Sequence, residues 1–471
     1  MRSSAIQKDP TARKTTMFAE KAPLPTECNP EDTQPERARS GVPAVFAHSG
    51  VLALADQGIV SSTNFLTSLA VARLCGKAEL GIYLLAWTVT QMVSEIVTAL
   101  IITPYNVISP TLSIGEQARY RGSVFLHQFI LSAIVSPSLI IAWFYLRRMP
   151  TTQQLSGLLC LLSALIFVFV LKEFSRRMFF AHLHMLSVTV ADTTACTLQL
   201  VLIGIMGFNR SLNAEIAFVV IALASFIPVS AWLLANRTHL VIKCSIAVED
   251  FRRNWDIAGW IVGSGVLWAG AMYAYPWLLI WMCGPSTTGA WAACYGLVAL
   301  SNPVLLGFGN YLGPKICLLY GQKGVSAMRL YVWRSSLTFA LLLAPLGAAA
   351  WFLGSDLVRH LYGSAFTGYT IAIRVLAVNV LIQGAVFSFS RGLFSLQRAD
   401  LDLAVNVIAI LLLFLLGVPL VRSFGVTGAA FGLALTNGAT ALIRAVVFAR
   451  ATRNAIRASS GAKTLCPFSE A

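Results

Sequence analysis

Charged side chains are scarce in this sequence. Asp, Glu, Lys and Arg make up 12% of its 471 residues, whereas a soluble globular chain carries about 25%. Hydrophobic residues make up 57%, and the mean hydropathy is +0.72. This composition excludes the ordinary soluble classes and predicts a protein that resides in a lipid bilayer.

The chain also lacks the motifs of the common catalytic and metal sites. Its nine cysteines stand singly, with no C-x-x-C pair, and His182 and His184 have no third ligand beside them in the sequence. There is no G-x-x-x-x-G-K-[ST] loop, and no H-E-x-x-H, G-x-S-x-G or dinucleotide-binding fingerprint in a suitable context. No pair of carboxylates stands in a substantial loop. We therefore expect no enzyme, no metal and no cofactor.

Twelve apolar segments are long enough to cross about 30 Å of hydrocarbon. Because backbone groups in lipid must be satisfied within the segment, all twelve are predicted to be helices. The predicted fold class is an all-α integral membrane protein. The segments are 44–72, 80–108, 122–146, 154–175, 185–207, 214–236, 257–283, 288–314, 330–354, 366–390, 402–421 and 426–449.

The distribution of basic residues sets the predicted topology. If the N-terminus is cytoplasmic, 27 of the 35 Lys and Arg fall in cytoplasmic regions, as the positive-inside rule requires. This predicts an N-in, C-in chain and explains the net charge of +15 without nucleic acid. Residues 1–42 are predicted to be a disordered basic cytoplasmic tail, and residues 452–471 a second cytoplasmic tail.

An internal repeat divides the chain. The string FSRRMF at 174–179 reappears as FSRGLF at 389–394, an offset of 215, and CGKAELG at 75–81 matches CGPSTTG at 283–289 in its Cys and two Gly, an offset of 208. A unit of six helices returns the chain to its starting side, so the copies have the same orientation. The predicted domains are an N-terminal six-helix bundle at 43–240, a cytoplasmic linker at 241–256 and a C-terminal six-helix bundle at 257–451.

The first apolar segment carries a polar face. At 100° per residue, seven polar side chains between positions 56 and 68 fall within an arc of about 160°. Lipid exposure of Asp56 would cost about 2.5–3.5 kcal/mol near a helix centre, so this face is predicted to turn inward. It lines either a hydrated cavity or an interhelical contact. Its members are Asp56, Gln57, Ser61, Thr63, Asn64, Thr67 and Ser68.

The second segment carries another polar face, formed by Thr88, Gln91, Glu95 and Thr98. Glu95 is the deepest carboxylate. It is either a protonatable group or cation ligand on the transport path, or a neutral hydrogen-bonded acid. Asp192 in the fifth segment adds a third intramembrane acid.

Four arginines are candidates for contact with an anion. Arg374 lies inside the tenth segment with no charged neighbour, where it meets an anion or a carboxylate, or extends its head group outward. The repeat-paired Arg176 and Arg391, together with Arg444, lie towards the cytoplasmic ends of helices. They are either donors to phosphate or topology anchors.

At this point the sequence resembles a known family. The stretch ADQGIVSSTNFLTSLAVARLCGKAELGIYLL is similar to the first helix and turn of the polysaccharide-export, or lipid-linked oligosaccharide flippase, family. That family belongs to the multidrug/oligosaccharidyl-lipid/polysaccharide (MOP) exporter superfamily. EFSRRMFFAHLHMLSVTVAD resembles its turn between helices four and five. The matching residues of the first stretch are Asp56, Gln57, Ser61, Asn64, Phe65, Ala72, Arg73, Gly76, Gly81 and Tyr83.

The resemblance implies the twelve-helix, two-bundle fold of multidrug exporters (MATE) and a central cavity. It implies alternating access, with H⁺ or Na⁺ as coupling ion, that moves an undecaprenyl-diphosphate-linked oligosaccharide from the cytoplasmic to the periplasmic leaflet for cell-surface polysaccharide synthesis. The expected setting is a monomer in the bacterial inner membrane, in contact with lipid and with the glycan polymerase and glycosyltransferases of its pathway. A cation-coupled multidrug exporter is the alternative, and a membrane glycan polymerase or ligase is a third reading.

Overall fold

The fold was analysed in a computed structural model that describes residues 42–148, 153–182, 184–237, 240–396 and 398–464. The predicted N-terminal tail therefore lies outside the described residues, apart from Val42, and so do the last seven residues of the predicted C-terminal tail. Almost every described residue is helical, and those from Ser49 onward form one compact unit.

The first repeat comprises seven α-helices. Lys77–Val97 and Thr103–Ile108 are joined by a π-helical turn, Thr98–Ile102, and cross as one rod. The helices are α1 (Val42–Cys75), α2 (Lys77–Val97), α3 (Thr103–Ile108), α4 (Ile114–Leu146), α5 (Gln153–Ala181), α6 (Met185–Phe208) and α7 (Ala214–Asn236).

The second repeat comprises six α-helices. Two of them contain a glycine with non-helical torsion angles, Gly324 in one and Gly425 in the other, so each joins two rods end to end. The helices are α8 (Cys244–Cys283), α9 (Pro285–Val298), α10 (Asn302–Tyr362), α11 (Thr370–Ser395), α12 (Ala399–Leu412) and α13 (Val418–Thr464).

Each of the twelve predicted segments coincides with a helical rod. In the described part of the chain, nine helical stretches are long and apolar enough to span a membrane. The longest, Asp400–Arg457, holds the eleventh and twelfth rods. The first rod is α1, and the eighth is made by α9 and the start of α10. Apolar side chains such as Ile141, Phe352 and Leu415, each about 70% exposed, turn outward where lipid would lie.

Helix boundaries differ from the prediction mainly at the seventh segment and at the twelfth, where α13 continues beyond position 449 to Thr464 and so makes the described part of the predicted C-terminal tail helical. The sequence places the start of the seventh segment at residue 257, but α8 begins at Cys244, so most of the predicted linker is helical. The buried side of this extension contacts α4: the Tyr120 hydroxyl donates to Asn254, and the His127 ring pairs with the Ala247 carbonyl. The charged residues of this extension lower its hydropathy. A hydropathy pattern does not detect it, because hydropathy reports burial in lipid and not helical backbone.

The repeat is visible in the backbone. Gly76 and Gly284 both have positive φ, +91° and +83°, at the turn between the first two rods of each repeat. The Cys75 thiol contacts the Leu212 carbonyl, and at the same offset the Cys283 thiol contacts the Val421 carbonyl. The parallel two-fold repeat predicted from the sequence is therefore a property of the fold.

The two repeats cross most closely where α2 meets α9. A methyl group built on Gly81 would lie 2.3 Å from the Pro285 carbonyl oxygen, and one on Gly289 would lie 1.8 Å from the Lys77 carbonyl oxygen. Since Pro285 and Gly289 follow Lys77 and Gly81 by 208 positions, the contact is reciprocal about the repeat axis. Only glycine permits this approach of two backbones.

Candidate functional site

A buried ionic cluster joins three helices of the first repeat. The Arg176 guanidinium on α5 donates to Asp56 on α1 and to Asp192 on α6, each at 2.7 Å, and to the Gln57 side chain at 3.3 Å. Asp56 is 1% exposed and Asp192 4%. We call Asp56, Arg176 and Asp192 the acidic cluster.

The acidic cluster has formally one more negative charge than positive. Among the described residues, the second carboxylate oxygen of Asp56, Oδ1, is buried and has no hydrogen-bond partner. A small cavity beside the cluster, with room for about one water molecule, is lined by Arg176, Asp192 and Phe179 and by Pro228 and Val229 of α7. A buried, unpartnered carboxylate oxygen is costly, so this cluster can gain stability by taking up a small positive ion.

The predicted polar face of α1 turns inward. Asp56, Thr63 and Thr67 are buried, whereas Leu54, Leu66 and Leu74 are exposed on other sides of the helix. Thr67 accepts a hydrogen bond of 2.8 Å from Gln199 of α6, so this side of the face packs between helices. The remaining predicted members, Gln57, Ser61, Asn64 and Ser68, are partly exposed.

The predicted polar face of α2 meets the second repeat. The Trp277 indole on α8 donates to Thr88 at 3.1 Å. Tyr273, one turn earlier on α8, interacts electrostatically with Gln91 and Glu95. Thr88, Gln91 and Glu95 therefore lie at the boundary between the two repeats.

Glu95 also interacts electrostatically with a second ion pair, which lies within α5. Arg177, next to Arg176, binds Glu173 at 2.6 Å, and both charges act on Glu95. Two adjacent arginines thus serve different acids. Arg176 bridges Asp56 and Asp192 and also acts on Glu173, whereas Arg177 pairs with Glu173 and acts on Glu95.

The second repeat contains a related cluster of a different charge. The Arg444 guanidinium on α13 donates to Asp402 at 3.0 Å and to Asn406 on α12. Asp402 also accepts hydrogen bonds from Ser390 at 3.0 Å and from Ser264 at 3.3 Å. We call Asp402, Asn406 and Arg444 the second-repeat cluster.

Repeat offsets relate the two clusters. Asp56 corresponds to Ser264 at offset 208, Arg176 to Arg391 at offset 215 and Asp192 to Asp402 at offset 210. The arginine that pairs with the acid lies on a different helix in each repeat. In the first repeat it is Arg176 on α5, and in the second it is Arg444 on the last helix, α13, whereas α7, the last helix of the first repeat, has no Lys or Arg. Arg391 interacts electrostatically with Asp402, so two guanidinium groups, those of Arg391 and Arg444, act on the single carboxylate of the second-repeat cluster.

Arg391 and Arg374 are the exposed arginines among the predicted site residues. Arg391 lies 5.3 Å above the Phe387 ring, and Arg374 lies 5.6 Å above the Trp351 ring. Arg374 shares its side of α11 with exposed Ile371, whereas Arg391, 17 positions later, is turned about 100° away on an ideal helix.

The sequence identified the separate members of these clusters but not all their partners. The sequence predicts Arg176 and Arg444 to be phosphate contacts or topology anchors, whereas in the structure both are paired with carboxylates. Asp402, Asn406 and Ser264 were not predicted. Each FSR string is followed by an Asp, 17 positions after Ser175 at Asp192 and 12 positions after Ser390 at Asp402, so an acid was to be expected after the second string but not at this position.

Comparison with known proteins agrees with this architecture. No family model matches the chain. The chain is 22% identical over 246 residues to a probable low-salt glycan biosynthesis flippase, Agl15, of Haloferax volcanii. That match covers 51% of this chain, and the chain spans about half the length of this curated relative.

Solved structures match over most of the chain. A multidrug resistance MATE family transporter of the MOP superfamily, in an inward-facing conformation, superimposes with a TM-score of 0.71 at 13% identity, covering 87% of this chain and 99% of that one. A MOP superfamily transporter from Pyrococcus furiosus, described as having a binding pocket of reversed polarity, superimposes with a TM-score of 0.66 at 13% identity, covering 87% of this chain and 95% of that one.

The fold class and the resemblance predicted from the sequence are therefore confirmed. This chain is a multi-pass, all-α membrane protein with the fold of the transporters of the multidrug/oligosaccharidyl-lipid/polysaccharide superfamily.

Proposed function

We propose that this protein is a flippase that moves a lipid-linked oligosaccharide, of the undecaprenyl-diphosphate class, from the cytoplasmic to the periplasmic leaflet of the bacterial inner membrane. A diphosphate and its sugars cannot cross hydrocarbon unaided, so they need a polar passage. The polar faces of α1 and α2 and the boundary between the repeats supply its walls, while the prenyl chain stays in lipid.

One observation carries the choice of an anionic cargo. Within the described residues, Arg391 is an exposed guanidinium with no hydrogen bond to a carboxylate, because the nearby Asp402 is already paired with Arg444. An arginine whose donors are free can bind phosphate oxygens in a bidentate manner. The Haloferax relative, named as a glycan biosynthesis flippase, supports the same class of cargo.

The acidic cluster supports coupling to an ion. With two carboxylates for one guanidinium and the unpartnered Oδ1 of Asp56, it suits one H⁺ or one Na⁺. Glu95, at the boundary between the repeats, is a second candidate for this role. In this proposal Asp56, Gln57, Ser61, Asn64, Thr88 and Gln91 line the passage, and neither an organic cofactor nor nucleic acid takes part.

A genetic test separates the arginine contacts. Arg391→Ala should abolish complementation of a flippase-deficient strain while the protein still reaches the membrane, and Arg374→Ala tests the second predicted contact. Arg334→Ala is a matched control, because Arg334 is exposed on a neighbouring helix of the same repeat. Full complementation by Arg391→Ala would remove this residue from the mechanism.

A cation-coupled multidrug exporter is the second candidate, and Glu95 is the observation that favours it. Glu95 is partly exposed between the repeats and has no hydrogen bond in the described part of the chain, so it could meet an organic cation. Resistance to cationic dyes in cells that express the protein, lost in Glu95→Gln, with no complementation of the flippase defect, would establish this alternative.

A further inference from the structure

We propose that Arg73, Lys77 and the segment 360–369 form a clasp that holds the external side of the transporter shut. We call these residues the external clasp. The inference rests on the proposed transport function, but it concerns side chains that the cluster chemistry does not use. In the N-in topology, the end of α1, the start of α2 and the α10–α11 connection all lie on the external side.

Arg73 ties the end of α1 to the end of α10. Its guanidinium donates to the carbonyl oxygens of His360 and Leu361 in the last turn of α10. Carbonyl groups in the last turn of a helix have no partner within it, and a cation is favoured there by the helix dipole. Arg73 therefore satisfies groups of the second repeat that would otherwise rely on water.

Lys77 holds the loop that follows. Its ammonium lies 5.6 Å from the centres of both the Phe366 and the Tyr369 rings, which is within the range of a cation–π interaction. Gly363 and Gly368, with φ of +103° and +96°, bend the loop so that both rings meet one ammonium.

Two further contacts between the repeats lie close to these two cations. The Phe65 ring on α1 meets the edge of Tyr362, with centroids 6.3 Å apart. The Gly81–Gly289 crossing of α2 and α9 lies next to Lys77. Opening the external side requires the end of α1 and the start of α2 to move away from the α10–α11 connection about the Gly81–Gly289 crossing, so the contacts of Arg73, Lys77 and Phe65 must break together.

The two cations of the clasp come from the first repeat and contact the second repeat, and no equivalent pair of cations runs in the opposite direction at the repeat-related positions. At offset 208, Arg73 corresponds to Trp281 and Lys77 to Pro285. The reciprocal glycine crossing is common to both repeats, whereas the cations come from the first repeat alone. This asymmetry indicates that the contacts of Arg73 and Lys77 open and close, while the glycine crossing of α2 and α9 stays in place.

The chain contains its own reporter for clasp opening. Cys294 on α9 is fully buried and lies within electrostatic reach of Lys77, Tyr362 and Tyr369. In a variant whose other cysteines are replaced by serine, Cys294 should react slowly with a membrane-impermeant maleimide added outside intact cells. Arg73→Ala should raise the labelling rate about threefold to tenfold, because each exposed charged hydrogen bond contributes modestly. The Arg73→Ala/Lys77→Ala double variant should raise it further.

Three controls keep the experiment decisive. Arg359→Ala removes an exposed charge from the same last turn of α10, without a described contact to α1, and should leave the rate unchanged. Arg73→Lys, which can still donate to a carbonyl, should restore slow labelling in part. A second reporter keeps only Cys196, buried in α6, and should stay unreactive in every variant.

Two results would overturn the clasp: an unchanged Cys294 rate in the double variant, or an equal rise at Cys196, which would indicate general loosening. The labelling needs no substrate, so its failure is distinct from failure of the flippase proposal, which complementation tests. Loss of complementation by Arg391→Ala together with unchanged labelling would reject the clasp alone.

Discussion

The two repeats share a backbone plan but differ in the charge of their equivalent clusters. At equivalent places the first has Asp56, Arg176 and Asp192, and the second has Ser264, Arg391 and Asp402. In the first, one guanidinium bridges two buried acids. In the second, one acid is held by Arg444 and two hydroxyl groups, and within the described residues the exposed Arg391 has no hydrogen bond to a carboxylate.

This difference teaches how a duplicated fold acquires two chemistries. Position in the helix bundle is kept, while Ser264 in place of Asp56 removes one negative charge and Arg444 on α13 adds one positive charge. A transporter that couples a cation to an anionic cargo needs a negatively charged site and a positively charged site within the bilayer. A duplicated fold can place one of these sites in each repeat.

The largest effect is expected when Arg176 is removed. Arg176→Ala leaves two buried carboxylates facing each other, and breaking such a pair costs about 3–5 kcal/mol. The thermal stability of the detergent-solubilised protein, followed by size-exclusion chromatography, should fall sharply. Asp56→Asn introduced together with Arg176→Gln should recover much of the loss, and stability unaffected by Arg176→Ala would contradict the charge count.

Removing Arg444 should cost less, about 1–3 kcal/mol. The carboxylate that remains, Asp402, keeps donors from Ser264 and Ser390, and Arg391 lies within electrostatic reach. The same thermal measurement on Arg444→Ala, made beside Arg176→Ala, compares the repeats directly. A larger loss in Arg444→Ala than in Arg176→Ala would reverse the assignment of excess charge.

The contact between repeats should respond to Gly81→Ala. The added methyl would lie 2.3 Å from the Pro285 carbonyl oxygen, and overpacking of this kind costs about 1–3 kcal/mol. Gly58→Ala is the matched control, because its methyl would meet nothing within 4 Å and alanine favours the helix. Equal stability of the two variants would show that the backbones do not approach so closely.

The smallest change in stability is expected for Asp56→Asn. It removes the excess negative charge yet leaves Arg176 paired with Asp192, so we expect stability within about 1 kcal/mol of the parent. Transport in reconstituted vesicles should nevertheless lose its dependence on a pH or sodium gradient. Retained gradient dependence would assign coupling to another group, with Glu95 as the first to test.

Much of the fold could be predicted because hydrocarbon imposes strong rules on sequence. Helix number, topology and the repeat follow from hydropathy, the position of Lys and Arg, and recurring strings such as FSRRMF and FSRGLF. Helix ends outside the bilayer, as at Cys244, obey no such rule. Kinks at Gly324 and Gly425 are equally invisible to an apolar pattern, which continues through them.

The candidate site was predictable in its residues and less so in its pairings. The inward face of α1 follows from the cost of exposing Asp56 to lipid. Which cation meets Asp56 depends on helix packing, and Arg176, Arg177 and Lys172 are near neighbours in sequence with the same charge. In the second repeat Asp402 is five positions nearer to its FSR string than Asp192 is in the first, and its partner Arg444 lies on a different helix from the string. Sequence symmetry alone therefore could not place these two residues.

Reconstitution offers the most direct test of the central claim. The purified chain would be placed in liposomes with a prenyl-diphosphate-linked oligosaccharide in one leaflet, and arrival of the sugar in the other leaflet would be followed by lectin binding. We predict transfer that is accelerated by the protein and lost in Arg391→Ala, with Arg334→Ala unaffected. Transfer no faster than in protein-free liposomes, together with gradient-driven movement of a cationic dye by the same preparation, would contradict it.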